Sequence, residues 1–127
     1  MSAFTKNKDL IVAYLKTIFD DRNLAEAEKF WGPDMIQHNP MMPNGLDVLR
    51  KFIAAPNPAF RYERGLTADA GNFVMVHGRY VGWGPKPLIA VDIFRIENDR
   101  IVEHWDVMQE EVPAERSANG HSMFPAQ

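Results

Sequence analysis

Cysteine is absent from this 127-residue chain. Its absence excludes disulfide frameworks, thiolate nucleophiles and cysteine-based zinc sites. Serine is scarce: it stands at positions 2, 117 and 122, near the ends, and no GxSxG elbow occurs, so a serine nucleophile has no seat. No GxGxxG or GxxxxGK stretch is present to cradle a phosphate, and no cofactor is expected. Positive charge is in slight deficit. Fourteen Lys and Arg against 17 Asp and Glu leave a net charge of −3, which excludes an electrostatic nucleic-acid partner. No apolar run is long enough to span a bilayer, so no membrane partner is expected either. The stretch Met1 to Asp9 mixes charged and polar residues without an apolar core, unlike a signal peptide, and a cytoplasmic location is the expectation.

What the chain has in quantity is apolar and aromatic surface. Hydrophobic residues make up 46%, with 8 Phe, 3 Trp, 3 Tyr and 7 Met. A chain of this length forms one domain and buries roughly two-thirds of its unfolded surface. A single domain over residues 1–127 is expected, with residues 112–127 as a tail. The aromatic and Met excess serves a core, an apolar cavity or a buried interface equally well.

The first half reads helical. Leu10, Ile11, Tyr14, Leu15, Ile18 and Phe19 form one apolar stripe on a helix from about Lys6 to Asp20. Asn23 and Glu26 have capping-box spacing for a second helix through Phe30 and Trp31, stopped by Gly32-Pro33. A loop with Pro33, Pro40 and Pro43 follows. A third helix carries Leu46, Leu49, Phe52 and Ile53 and ends before Pro56. The second half reads as strands, over Phe60–Thr67, Phe73–Trp83, Leu88–Glu97 and Arg100–Glu110, with Asn98-Asp99 as a hairpin turn. Helices followed by consecutive strands predict an α+β domain. Both faces of Leu88–Glu97 are mostly apolar, and three helices cover one sheet face only. The second face needs a partner, most simply a second copy of the chain.

Acid and base residues set among these apolar runs are the candidates for chemistry. Asp92 sits inside Val91-Asp92-Ile93-Phe94, where a lone carboxylate must find a partner or hold a proton. It reads either as a structural carboxylate tied to a helix end or an Arg, or as a site acid. His104 and Asp106 alternate with Val102 and Met108 on one face of the last strand, and Ile101, Glu103, Trp105 and Val107 share the other. The first face is either solvated or an acid/base face of a pocket, with Met108 lining it. His38, in Gln37-His38-Asn39-Pro40 at the start of a loop, reads either as a histidine that caps a turn or as a residue of a pocket mouth. His77, between Val76 and Gly78, reads as a satisfied core residue or as a binding residue. No two histidines have HxH or HxxxH spacing, so no metal site is expected.

The helix pair, DMIQHNP, HGRYVGW and VDIFRIENDRIVEHWDV, covering about Leu10 to Glu111, resemble the SnoaL-like polyketide cyclase family of the NTF2-like superfamily. The resemblance implies a cone-shaped α+β barrel. N-terminal helices pack on a curved antiparallel sheet around an apolar pocket, and the sheet's outer face forms a homodimer. It also implies cofactor-free aldol chemistry with Asp106 as the base and His104 beside it. Asp92 stands where the cyclases carry a histidine and related ketosteroid isomerases an acid. It is then a protonated donor to the enolate oxygen, the arrangement known for the neutral buried Asp of that isomerase. Gln37, His38 and Asn39 match a pocket-edge segment.

One conflict arises within this reading. A two-residue Asn98-Asp99 turn pairs Glu97 with Arg100, and thus Asp92 with Trp105, placing Asp92 and Asp106 on opposite faces. A bulged or three-residue turn brings them together, and the resemblance favours that arrangement. The expected function is deprotonation of an apolar carbonyl compound, in aldol cyclisation or isomerisation. The competing expectation is a non-catalytic dimer that binds an apolar small molecule. A third reading, epoxide hydrolysis, needs an interior Asp-Arg-Asp set, with Arg79 as its arginine.

Overall fold

A computed structural model describes residue 4 and residues 6–124. The outermost parts of the predicted N-terminal stretch and of the tail lie outside the described residues. Helix α1 (Asn7–Leu15) continues into a widened turn over Lys16–Asp20, closed by the Asp21 N–H on the Lys16 carbonyl at 2.9 Å. Helix α2 (Leu24–Ala27) begins as its capping residues predict, with Asn23 Oδ1 accepting the Glu26 N–H at 3.1 Å. A short tight turn, Glu28–Phe30, leads into strand β1 (Trp31–Gln37). Helix α3 (Asp47–Ala54) follows, then β2 (Arg61–Ala70), β3 (Phe73–Val81), β4 (Leu88–Glu97) and β5 (Arg100–Glu110).

The five strands form one sheet in the order β1-β5-β4-β3-β2. Neighbours among β2 to β5 run antiparallel, whereas β1 lies parallel to β5 at the edge. The sheet is therefore mixed. Strand β1 was not expected: its Gly32-Pro33 reads as a helix stop and loop. Proline is tolerated there because β1 is an edge strand whose pairing breaks between Trp31 and Ile36. Trp31 leaves the helical path because its indole N–H donates to the Tyr14 hydroxyl at 3.0 Å while its backbone pairs with Ile101.

The helices pack on one sheet face. Leu10, Ile11, Leu15 and Ile18 meet Val74, Val76, Phe94, Ile96 and Ile101 in a single buried cluster. A smaller cluster of Phe60, Tyr80 and Ala90 lies toward the Trp83 end. The other face is the outer one. Val91 is 39% exposed and Val107 71% exposed on it. The tail folds back along its β2–β3 end, where the Phe124 ring meets His77 at 5.2 Å between centroids. Gly65 lies beneath that ring: a Cβ there would come within 2.9 Å of Phe124.

Candidate active site

The β4–β5 hairpin resolves the register conflict with one extra residue. Asn98 and Asp99 both take left-handed φ, 50° and 61°, which makes a two-residue turn. Glu97 pairs with Arg100 and Ile96 with Ile101, as the turn rule requires. The register then slips: Arg95 pairs with Glu103, and Val102 is left as a bulge. Beyond it, Asp92 stands opposite Asp106 and Phe94 opposite His104, all on the inner face. The slip also moves Ile101 into the core, at 0% exposure, rather than onto the face of Trp105 as the alternation predicts. Gly32 makes room beside the bulge, since a Cβ there would come within 3.1 Å of Val102.

A cavity opens against this inner face. Its walls are mainly apolar and aromatic, from α1, α3 and the sheet. Asp92, His104, Asp106, Gln37 and Asn39 supply the polar groups along it. Met108 lines it. Among the described residues, no Lys or Arg lines it.

The polar residues form one chain of hydrogen bonds. The Tyr80 hydroxyl donates to Asp92 Oδ2 at 2.7 Å, and Asp92 Oδ1 lies 2.8 Å from His104 Nε2. His104 Nδ1 lies 2.7 Å from Gln37 Oε1, which also accepts the Asn39 N–H at 3.1 Å. Asn39 is itself oriented by the Met41 N–H donating to its Oδ1 at 2.8 Å. That leaves Asn39 Nδ2 to donate to Asp106 Oδ2, also at 2.8 Å. His104 Nε2 stands 3.9 Å from the same Asp106 oxygen. Asp106 Oδ1 accepts no hydrogen bond from a described residue. Burial raises the Asp106 carboxyl above the ordinary carboxylate range; the Asn39 hydrogen bond opposes this, the Asp92 charge adds to it and His104 opposes it.

Two tyrosines to which sequence reasoning gave no place in the site belong to it. Tyr14 was placed in the helical core stripe, but it also lines the cavity. Its hydroxyl accepts from Trp31, and its own proton finds no acceptor among the described residues. Burial pushes its phenol well above the usual range. Tyr80 lies on the inner face of β3, two residues after Gly78, an alternation that the burial of Val74 and Val76 makes legible.

Three expected placements are corrected. His77 does not line the cavity: it pairs with Val91, one residue out of phase with Asp92, and meets the tail on the outer face. His38 does not line it either. Between inward-facing Gln37 and Asn39, its Nε2 lies 2.7 Å from Glu103 and its ring stacks on Trp105 at 4.7 Å. Arg79 is held outside by Glu63 and Glu111, both at 2.9 Å, so it supplies no interior arginine for epoxide hydrolysis.

Asp92, His104 and Asp106 offer ligand atoms that all lie within 4.8 Å of one another and could hold a cation. Binding one through Nε2 would break the hydrogen bond between His104 and Asp92.

This helix-capped sheet has counterparts among known proteins. Residues 11–104 match the sequence model of the SnoaL-like domain. The chain belongs to this family. The matched SnoaL-like segment includes Asp92 and His104 and stops two residues before Asp106. No curated protein matches the chain. Solved structures do. An NTF2-like protein of unknown function from Cytophaga hutchinsonii is 18% identical, with a TM-score of 0.69 over 86% of this chain and 95% of its own. IdmH from Streptomyces antibioticus, a proposed polyketide cyclase, is 18% identical, with a TM-score of 0.61 over 81% and 92%. A steroid delta-isomerase from Pseudomonas aeruginosa is also 18% identical, with a TM-score of 0.61 over 86% and 84%. At these identities the likeness establishes the SnoaL-like chain's NTF2-like fold.

Proposed function

We propose that this protein deprotonates a neutral, apolar carbonyl compound at the carbon beside the carbonyl, in an aldol or isomerisation step. The observation that carries the reading is the pairing of Asp92 with Asp106 across the bulged hairpin, with His104 Nε2 at 2.8 Å from one carboxylate and 3.9 Å from the other. Two carboxylates in different environments divide into acid and base roles.

Asp106 is the base. Its Oδ1 is free, and its raised proton affinity strengthens it as an acceptor from carbon. It takes the α-proton, and the electron pair moves onto the carbonyl oxygen. His104 and Asp92 share one proton and are the acid side of the site: they give that proton to the oxygen that becomes negative. The Tyr14 hydroxyl is a second donor to the same oxygen. His104 then returns a proton between the two carboxylates. Asn39 and Gln37 hold Asp106 and His104 in place. Among the described residues no Lys or Arg lines the cavity to balance a substrate carboxylate or phosphate beside Asp106, which favours a neutral substrate. The apolar outer face around Val91 and Val107 fits a second copy of the chain.

The test is α-proton exchange in deuterated water, followed by NMR over a panel of cyclic diketones and aryl ketones. Asp106→Asn should slow exchange by about 10²–10⁴-fold while leaving ligand affinity largely intact. Ligands that bind wild-type protein without any exchange would establish the non-catalytic binding module instead.

A further inference from the structure

We infer that Tyr80 is the positioning residue that keeps the proton shared by Asp92 and His104 on His104, so that the pair stands as carboxylate and imidazolium before substrate arrives. The inference names a residue for the site proposed above. It rests on that proposal only for its catalytic consequence.

The hydrogen bonds allow the protons to be counted. Gln37 Oε1 is an acceptor toward the Asn39 N–H and faces His104 Nδ1, so Nδ1 carries a hydrogen. His104 Nε2 faces Asp92 Oδ1 at 2.8 Å, and a hydrogen bond there needs one proton on one of the two atoms. Two arrangements satisfy the count: imidazolium with carboxylate, or imidazole with carboxylic acid. The other carboxyl oxygen tips the balance between them. Asp92 Oδ2 accepts the Tyr80 hydroxyl at 2.7 Å, and a donor there favours the charged carboxylate. Asp92 is 1% exposed, and Tyr80 is the donor to its Oδ2 among the described residues.

Tyr80 is built to give this one hydrogen bond. Its ring is fixed among Phe19, Tyr62 and Trp83, with centroids at 5.5, 4.8 and 6.1 Å. Burial, with the Asp92 charge next, holds its phenol well above the usual range, so it remains an O–H donor. The neighbouring Tyr62 hydroxyl is buried without a partner and does not take over the task.

The experiment uses full-length, ligand-free protein labelled with ¹⁵N in its histidine rings. The four histidines are resolved by long-range proton–nitrogen correlation, with His104 assigned by His104→Gln. In wild-type protein at neutral pH both His104 nitrogens should resonate as N–H. Tyr80→Phe, which removes the hydroxyl alone, should move Nε2 to the position of an unprotonated ring nitrogen. In an Asp92→Asn background the same substitution should leave His104 unmoved. A bare Nε2 in the wild type, or an unchanged Nε2 in Tyr80→Phe, overturns the inference. Should Tyr80→Phe fail to fold, the wild-type spectrum still decides, because a bare Nε2 there is sufficient to reject it. Exchange is read separately: Tyr80→Phe should slow it by about 10- to 100-fold, as expected for losing a hydrogen bond to a charged group. Failure of the carbon-acid reading leaves the spectrum untouched, and failure of the spectrum leaves exchange by Asp106 standing.

Discussion

Asp92 and Asp106 face each other directly across β4 and β5, and they are not equivalent. Asp92 has both oxygens engaged, by Tyr80 and His104, whereas Asp106 has one engaged, by Asn39. The free oxygen and the raised proton affinity fall on the same residue, and that asymmetry assigns the roles.

Asp106 should cost the protein stability. A buried carboxyl whose proton affinity is raised in the folded state favours the fold below its unfolded pKa. It loses that contribution as pH rises through the folded value. At neutral pH the ionised group is therefore a burden. Asp106→Asn should leave thermal stability unchanged or higher at pH 7, and its advantage should shrink as pH falls through the window just above the ordinary carboxylate range. Melting curves at several pH values check this.

Asn39→Ala should act in the opposite sense on the base. It removes the one donor to Asp106 Oδ2 and raises the proton affinity of Asp106 further. The acid limb of the pH–rate profile should move to higher pH. Stability at neutral pH should fall by about 1–3 kcal/mol, the cost of losing a hydrogen bond to a charged group. Rate measurements across pH and a denaturant titration read the two effects.

Deleting Val102 should straighten the hairpin and keep the site. The residue lost is the unpaired one, so Ile96 still meets Ile101, Arg95 still meets Glu103 and Asp92 still meets Asp106 across the two strands. Exchange and ligand binding should persist in the deletion variant, and an exchange assay beside wild-type protein checks it.

Gly78→Ala should destabilise the fold. A Cβ there would fall 2.4 Å from the Tyr62 hydroxyl and 2.7–2.8 Å from its ring carbons, and Tyr62 is packed against Phe19 and Tyr80. Overpacking of this kind costs about 1–3 kcal/mol, which lowers Tm by roughly 5–10 °C. Calorimetry measures it.

The elements that were legible in the sequence are those with strong local signals. The apolar stripe of α1, the Asn23 cap and the Asn98-Asp99 turn each rest on side chains acting within a few residues. Strand β1 was hidden because its pairing is remote and parallel, and its Gly-Pro reads locally as a stop. In the site, alternation put His104, Asp106 and Met108 on one face of the last strand, while the resemblance alone, against the turn rule, set Asp92 with them and added Gln37 and Asn39; the cavity is lined by all six. His38 and His77 were misplaced because a residue's type does not reveal its phase: each lies one position from an inward-facing neighbour. Tyr14 was hidden by double duty, since a core stripe and a cavity wall use the same face of α1.

Among the described residues no lysine or arginine lines the cavity, so Asp92, His104 and Asp106 are its charge-bearing side chains. They are largely buried, and buried charges are screened far less than exposed ones, so added salt should act weakly on the site. The outer face behaves the other way: Arg79 and Arg95, partly exposed among their glutamates, carry attractions that added salt weakens.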